Sequence, residues 1–152
     1  MRMKLKPSRQ SGFTLIEVLI AILILGIGLL GLASLQAVGL QFNQSSQFRS
    51  QATNLAYEMA DRMRSNRQAA RDGDYTGPLV TPLPDCTPNL ALNQATVAAR
   101  DVASWRNSLA CLLPLGNGAI AVDNDGIATI TVQWDDSRGE EAALAFVMET
   151  QL

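Results

Sequence analysis

The sequence has no histidine, and its two lysines, Lys4 and Lys6, lie in the first six positions. Without an imidazole, the most frequent general base at neutral pH and the most frequent metal ligand are missing. Without lysine beyond residue 6, Schiff-base chemistry is missing too. Cysteine is limited to Cys86 and Cys111, and aromatic residues make up 5%. These shortages point away from an enzyme, and no catalytic residue, cofactor or metal is assigned. Asp123–Gly126 reads "DNDG", which opens like a calcium loop but lacks the downstream ligands of that pattern; it is read as a hairpin turn. Positive charge is scarce after the start. Residues 1–12 hold Arg2, Lys4, Lys6 and Arg9 with no acid, a net of +4, whereas the rest of the chain sets eight arginines against fourteen acids, a net of −6. An acidic body with few aromatics disfavours nucleic acid as a partner. Proline is absent from the whole interval between Pro7 and Pro78, so no proline would break a helix there.

That interval opens with an unbroken apolar run. The 23 positions from Phe13 to Leu35 carry one charge, Glu17. A helix of that length reaches about 35 Å, enough for a hydrocarbon core of about 30 Å. Core helices are rarely apolar all round for so long, so the run is read as membrane-inserted. The basic flank is expected to stay cytoplasmic, with the C-terminal part across the membrane. A cleavable signal peptide fits poorly, because the run is long and Leu35 occupies the place where a small residue would be needed for cleavage after Ala37. A plain signal anchor leaves Glu17 unexplained, since a charge at mid-membrane costs about 2.5–3.5 kcal/mol.

The stretch "SGFTLIEVLIA" resembles the start of type IV prepilins: a short basic leader, Gly12, then Phe13, then Glu17 as the fifth residue of the mature chain. The resemblance implies cleavage by a prepilin peptidase between Gly12 and Phe13, methylation of the new Phe13 amine, and a role for Glu17 in assembly. There Glu17 would pair with the N-terminal amine of a neighbouring subunit. With the helix expected to start at Phe13, Phe13 and Glu17 form an i,i+4 pair on one face. The stretches "GIGLLGLASLQ" and "ADRMRSNR" further resemble minor pilins of the type IV pilus modification protein (PilV) family. The resemblance is strong over residues 10–40, moderate over 52–76 and weak beyond. It implies partners among other minor pilins and the major pilin, residence in the inner membrane with a periplasmic head, and later a place in the pilus. A minor pseudopilin of type II secretion, which shares the leader and Glu17, is the alternative; a bitopic membrane protein with a ligand-binding head is a further one. Major pilins usually carry a proline inside the first helix, and this chain has Gly26, Gly28 and Gly31 in the run instead. These glycines would either let the helix bend or let another helix approach.

After Leu35 the pattern turns amphipathic, with Leu35, Val38, Phe42, Ala52, Ala56, Met59 and Met63 compatible with one stripe. One helix is expected from Phe13 to about Ala69, weakest between Phe42 and Ala52. Arg62, Arg64, Arg67 and Arg71 gather near its end. They read either as a solvated helix terminus that suits the dipole, or, for Arg62, Arg64 and Arg67, as a surface for a partner pilin.

The remaining segments are short. Residues 72–93 are rich in proline and glycine and read as a loop. Val102, Trp105, Leu109 and Leu112 mark an amphipathic helix over 95–113, stopped by Pro114. "AIAVD" and "IATITVQW" flank an Asn-Asp-Gly turn, and "AALAFVMET" follows a second turn. Ala128, Ile130, Val132 and Trp134 alternate to one face, as do Leu144, Phe146 and Met148. Such a sheet needs a cover, and the amphipathic half of the long helix supplies it. Cys86 and Cys111 are expected to pair, since both lie in the exported part and their number is even. The bridge would close 26 residues, worth about 3–4 kcal/mol. The expected fold is α+β and pilin-like: a long N-terminal helix on a three- to four-stranded antiparallel sheet, with one short extra helix. Its divisions are a leader over 1–12, a membrane and assembly half over 13–36, an amphipathic half over 37–70 and a globular head over 71–152.

Overall fold

The computed structural model describes residues 12–137 and 139–152. Arg2, Lys4, Lys6 and Arg9 of the basic leader lie outside the described residues. The elements are α1 (Leu15–Ser65), α2 (Arg67–Arg71), α3 (Val97–Leu112), β1 (Asn117–Val122), β2 (Ile127–Trp134) and β3 (Leu144–Gln151). The chain separates into two compact units, Met1–Phe42 and Asn43–Leu152.

In the first unit residues 15–42 belong to α1, residues 12–14 precede it, and none of these described residues is buried. An 18-residue window of α1 near the N-terminus reaches a mean hydropathy of 2.8, with none of it buried. The stripe expected from Leu35 onward does not begin there: Leu35, Val38 and Phe42 are exposed.

In the second unit α1 continues through the polar interval 43–51. Its hydroxyls return to the helix itself, Ser50 Oγ donating to Ser46 O and Thr53 Oγ1 to Arg49 O, which keeps short polar side chains compatible with helix. From Ala52 the helix turns one face to the sheet, burying Ala52, Leu55, Ala56, Met59, Ala60 and Met63. Leu55 and Ala60 complete the i, i+3, i+4 stripe. The helix ends at Ser65, earlier than Ala69. Asn66 leaves helical backbone (φ −122°, ψ 51°) and its amide turns to Tyr75, so residues 67–71 form a separate short turn of helix.

The sheet is antiparallel in the order β1-β2-β3. Ala128, Ile130, Val132 and Trp134 of β2 are buried, and Leu144, Phe146 and Met148 of β3 are half-buried on the same side. The β1–β2 connection is Asx-closed: Asp123 Oδ1 accepts from Asp125 N at 3.0 Å and Ile127 N at 2.7 Å, and Gly126 takes φ +78°. That left-handed position is what glycine is for at the end of a three-residue hairpin loop. The carboxylate is thus occupied by main-chain donors, as the turn reading of "DNDG" requires.

Helix α3 starts at Thr96, whose hydroxyl accepts from Ala99 N, and ends at Leu113 in extended conformation, as a residue before proline prefers. It packs through Ala98, Trp105 and Leu109, whereas Leu112, expected on the same stripe, is 49% exposed. The last turn of α3 carries the exposed Cys111, and Leu113 just beyond it, not Leu112, is the residue buried at this end. Gly118 of β1 lies against Trp105: a methyl group there would fall 2.4 Å from the ring. Trp105 Nε1 donates to Leu55 O at 2.9 Å and so ties α3 to α1. The Cys86–Cys111 disulfide is present, with the Cα atoms 4.7 Å apart.

Candidate functional site

The N-terminal segment is built around Thr14. Its hydroxyl accepts from Glu17 N at 3.3 Å and its carbonyl from Glu17 N at 3.1 Å and Val18 N at 3.3 Å, which makes it the cap of α1. Helical conformation therefore begins at Leu15 rather than Phe13. Phe13 precedes the first turn, so it and Glu17 are not an i,i+4 pair on one helical face. Phe13 is 83% exposed. The order Thr14-Leu15-Ile16-Glu17 is the S/T-x-x-E capping signature. It was legible in the sequence and gives Glu17 a second reason for its place: an anionic side chain in the first helical turn suits the positive end of the helix dipole. Among the described residues, no donor bonds the Glu17 carboxylate, which stands exposed.

Gly12 is exposed, and a side chain there would meet nothing within 4 Å. Nothing in the chain's own described packing requires glycine at that position. The same holds for Gly26, Gly28 and Gly31.

The arginines of the α1 terminus are engaged within the head. Arg62 bonds Glu58 at 2.6 Å and Asp101 at 3.1 Å. Arg64 bonds Asp61 at 3.0 Å and the hydroxyl of Thr150. Arg67 and Arg71 both donate to the main-chain oxygen of Leu152, whose side chain is buried. Arg62 belongs to a network the sequence did not announce. Tyr75 is fully buried, donates to Asp101 Oδ2 at 2.7 Å and accepts from Asn66 Nδ2 at 3.2 Å. Burial, then the hydrogen bond to Asp101, pushes the Tyr75 hydroxyl above its ordinary pKa. Burial alone would lower the Arg62 pKa, but the Glu58 and Asp101 carboxylates together raise it. The network fastens the end of α1, the loop after α2 and the start of α3.

Residues 7–33 match the family model described as the prokaryotic N-terminal methylation motif. No curated protein and no solved structure matches the chain. The motif covers Gly12, Phe13 and Glu17 together with the apolar run as far as residue 33, and it supports a type IV pilin-like or pseudopilin-like protein. The motif and the apolar helix agree with membrane anchoring and association with a pilus.

Proposed function

We propose that this pilin-like chain is a minor pilin, of the PilV kind, that takes part in initiating, assembling or modifying a type IV pilus together with other minor pilins and the major pilin. The prepilin peptidase cuts between Gly12 and Phe13 and methylates the Phe13 amine. The processed chain waits in the inner membrane, with its start cytoplasmic and its head periplasmic, and then enters the pilus. It has no catalytic role of its own. The observation that supports the reading is the match of residues 7–33 to the N-terminal methylation motif, with Gly12 and Phe13 just before an exposed apolar helix and a Glu17 carboxylate that no donor among the described residues bonds. A Phe13 amine freed by cleavage would precede the first helical turn and could reach the Glu17 carboxylate of a neighbour. Arg62, Arg64 and Arg67 remain open to partner pilins only through the donors their internal bonds leave spare. A minor pseudopilin of type II secretion is the second reading, since it would use the same residues.

Glu17→Val is the test. It should enter the membrane more readily than the parent and still lose residues 1–12, because insertion only gains from removing a charge. It should fail to copurify with partner pilins and drop out of sheared pili, since one side of a buried pair is stranded at a cost of about 3–5 kcal/mol. Wild-type recovery of the variant in pili would refute the assembly role. Loss of secretion with pili intact, on deletion of the chain, would favour the pseudopilin.

A further inference from the structure

The cap at the start of α1 decides more than where the helix begins. Thr14 O accepts from Val18 N at 3.3 Å, a bond of helical spacing, and Thr14 Oγ1 accepts from Glu17 N at 3.3 Å. A residue in that role keeps non-helical backbone, so the helix starts at Leu15 and leaves Gly12 and Phe13 outside it. Both are exposed, and a side chain at Gly12 would meet nothing within 4 Å. The reciprocal half of the capping signature, the Glu17 carboxylate to Thr14 N, is not made among the described residues. The Thr14 hydroxyl is therefore the side-chain group that marks the boundary, and the Gly12–Phe13 bond lies one residue upstream of it.

A peptide bond is cut where its main chain is open to the cutting enzyme; one inside a helical turn must first be unwound. When opening is fast, the rate follows the population in which the bond is open. We propose that Thr14 is a positioning residue for processing: its hydroxyl fixes the helix start at Leu15 and so keeps the Gly12–Phe13 bond outside the helix for hydrolysis. In that step one water adds across the bond and leaves a Gly12 carboxylate and a Phe13 amine. The proposal rests on the processing reading above and adds the residue that governs its rate. Without the hydroxyl the boundary moves, and it moves toward the leader. A retreat past Leu15 and Ile16 would leave main-chain groups of the apolar run unbonded, which lipid penalises. An advance carries no such penalty, and the sequence offers a second cap in Ser11, three residues before Thr14. A helix capped there would take Gly12 and Phe13 as its first two residues and close the scissile bond into the first turn. Glycine at position 12 opposes that advance, being a weak helix former, so Gly12 and Thr14 act in the same direction.

The experiment follows loss of residues 1–12 from the full chain, by pulse-labelling and intact mass, in cells that make a prepilin peptidase. Thr14→Ala should be cut about fivefold more slowly than the parent, the factor expected from loss of one cap. Thr14→Ser and Thr14→Asn should both be cut at nearly the parental rate. Each caps a helix, and asparagine has no hydroxyl for the peptidase to read in place of threonine's. Ser11→Ala alone should leave the rate unchanged. Added to Thr14→Ala, it removes the second cap and should recover about half of the lost rate or more. Membrane insertion of every variant, read as resistance to alkaline extraction, should match the parent. A parent that keeps residues 1–12 refutes the processing reading itself. With the parent cut, the proposal alone is overturned by parental or faster cutting of Thr14→Ala, by Thr14→Asn as slow as Thr14→Ala, or by no recovery on adding Ser11→Ala.

Discussion

Replacing both cysteines by serine removes the link between the strap and α3 without touching the N-terminal segment. Cys86 and Cys111 are 25 positions apart, and releasing a loop of that size returns about 3.5 kcal/mol of chain entropy to the unfolded head at 25 °C. The native contacts of the strap offset none of this, because the gain belongs to the unfolded chain. They do determine what the folded variant looks like. Gly77 with Ile120, Val80 with Asn117 and Thr87 with Asn107 each keep two hydrogen bonds, and Arg106 still donates to Pro78 O. At a net worth of about 0.5–1.5 kcal/mol per bond, the strap should stay docked at its start and loosen around residues 81–92. Trp105 and Trp134 are both buried in the head, so their emission reports its unfolding directly. In detergent, urea titration of the full chain should show the midpoint falling by about 2 M, taking a slope near 1.5–2 kcal/mol per M for a head of this size. Hydrogen exchange should rise in 81–92 and stay unchanged at Ile120. A midpoint within about 0.5 M of the parent would refute the entropy argument, and faster exchange at Ile120 would refute the claim that the strap start is held independently.

Two further outcomes follow from the core. Tyr75→Phe leaves Asp101 Oδ2 and Asn66 Nδ2 without their partner and should cost about 1.5–3 kcal/mol in the same urea assay. Because folding raises the Tyr75 pKa above its ordinary 10.0, the contribution is fully present below pH 10 and is lost as pH rises through the folded value; the alkaline loss of stability should shrink in the Phe variant. Gly118→Ala drives a methyl group into the fully buried Trp105 ring and should cost about 1–3 kcal/mol with a shift in tryptophan emission, whereas Gly28→Ala, with open space around it, should leave the head unchanged.

What the sequence determined is what lies within a few residues of itself. The apolar run, one long helix (though not its ends, expected at Phe13 and about Ala69 and found at Leu15 and Ser65), the period-two strands and the Asp-Gly hairpin are set by neighbours in the chain, because helix and strand periods are local properties. The order of Gly12, Phe13 and Glu17 along the chain is local, but the helix start expected at Phe13 is displaced by the Thr14 cap to Leu15, so the expected i,i+4 pairing of Phe13 with Glu17 does not form. The disulfide was legible from the even number of cysteines and the compartment expected for them. The contacts that fix the head were not. Tyr75 meets Asp101 across 26 positions, Trp105 meets Leu55 across 50, and Arg71 meets Leu152 across 81. No periodicity spans such separations, and a tyrosine in a Gly-Asp-Tyr turn carries no mark of a buried partner. The arginines at the end of α1 show the limit most plainly. As a string they could serve water or a partner. Only the fold, by bringing Asp101 and the last residue of β3's extension within reach, decided which atoms they bond.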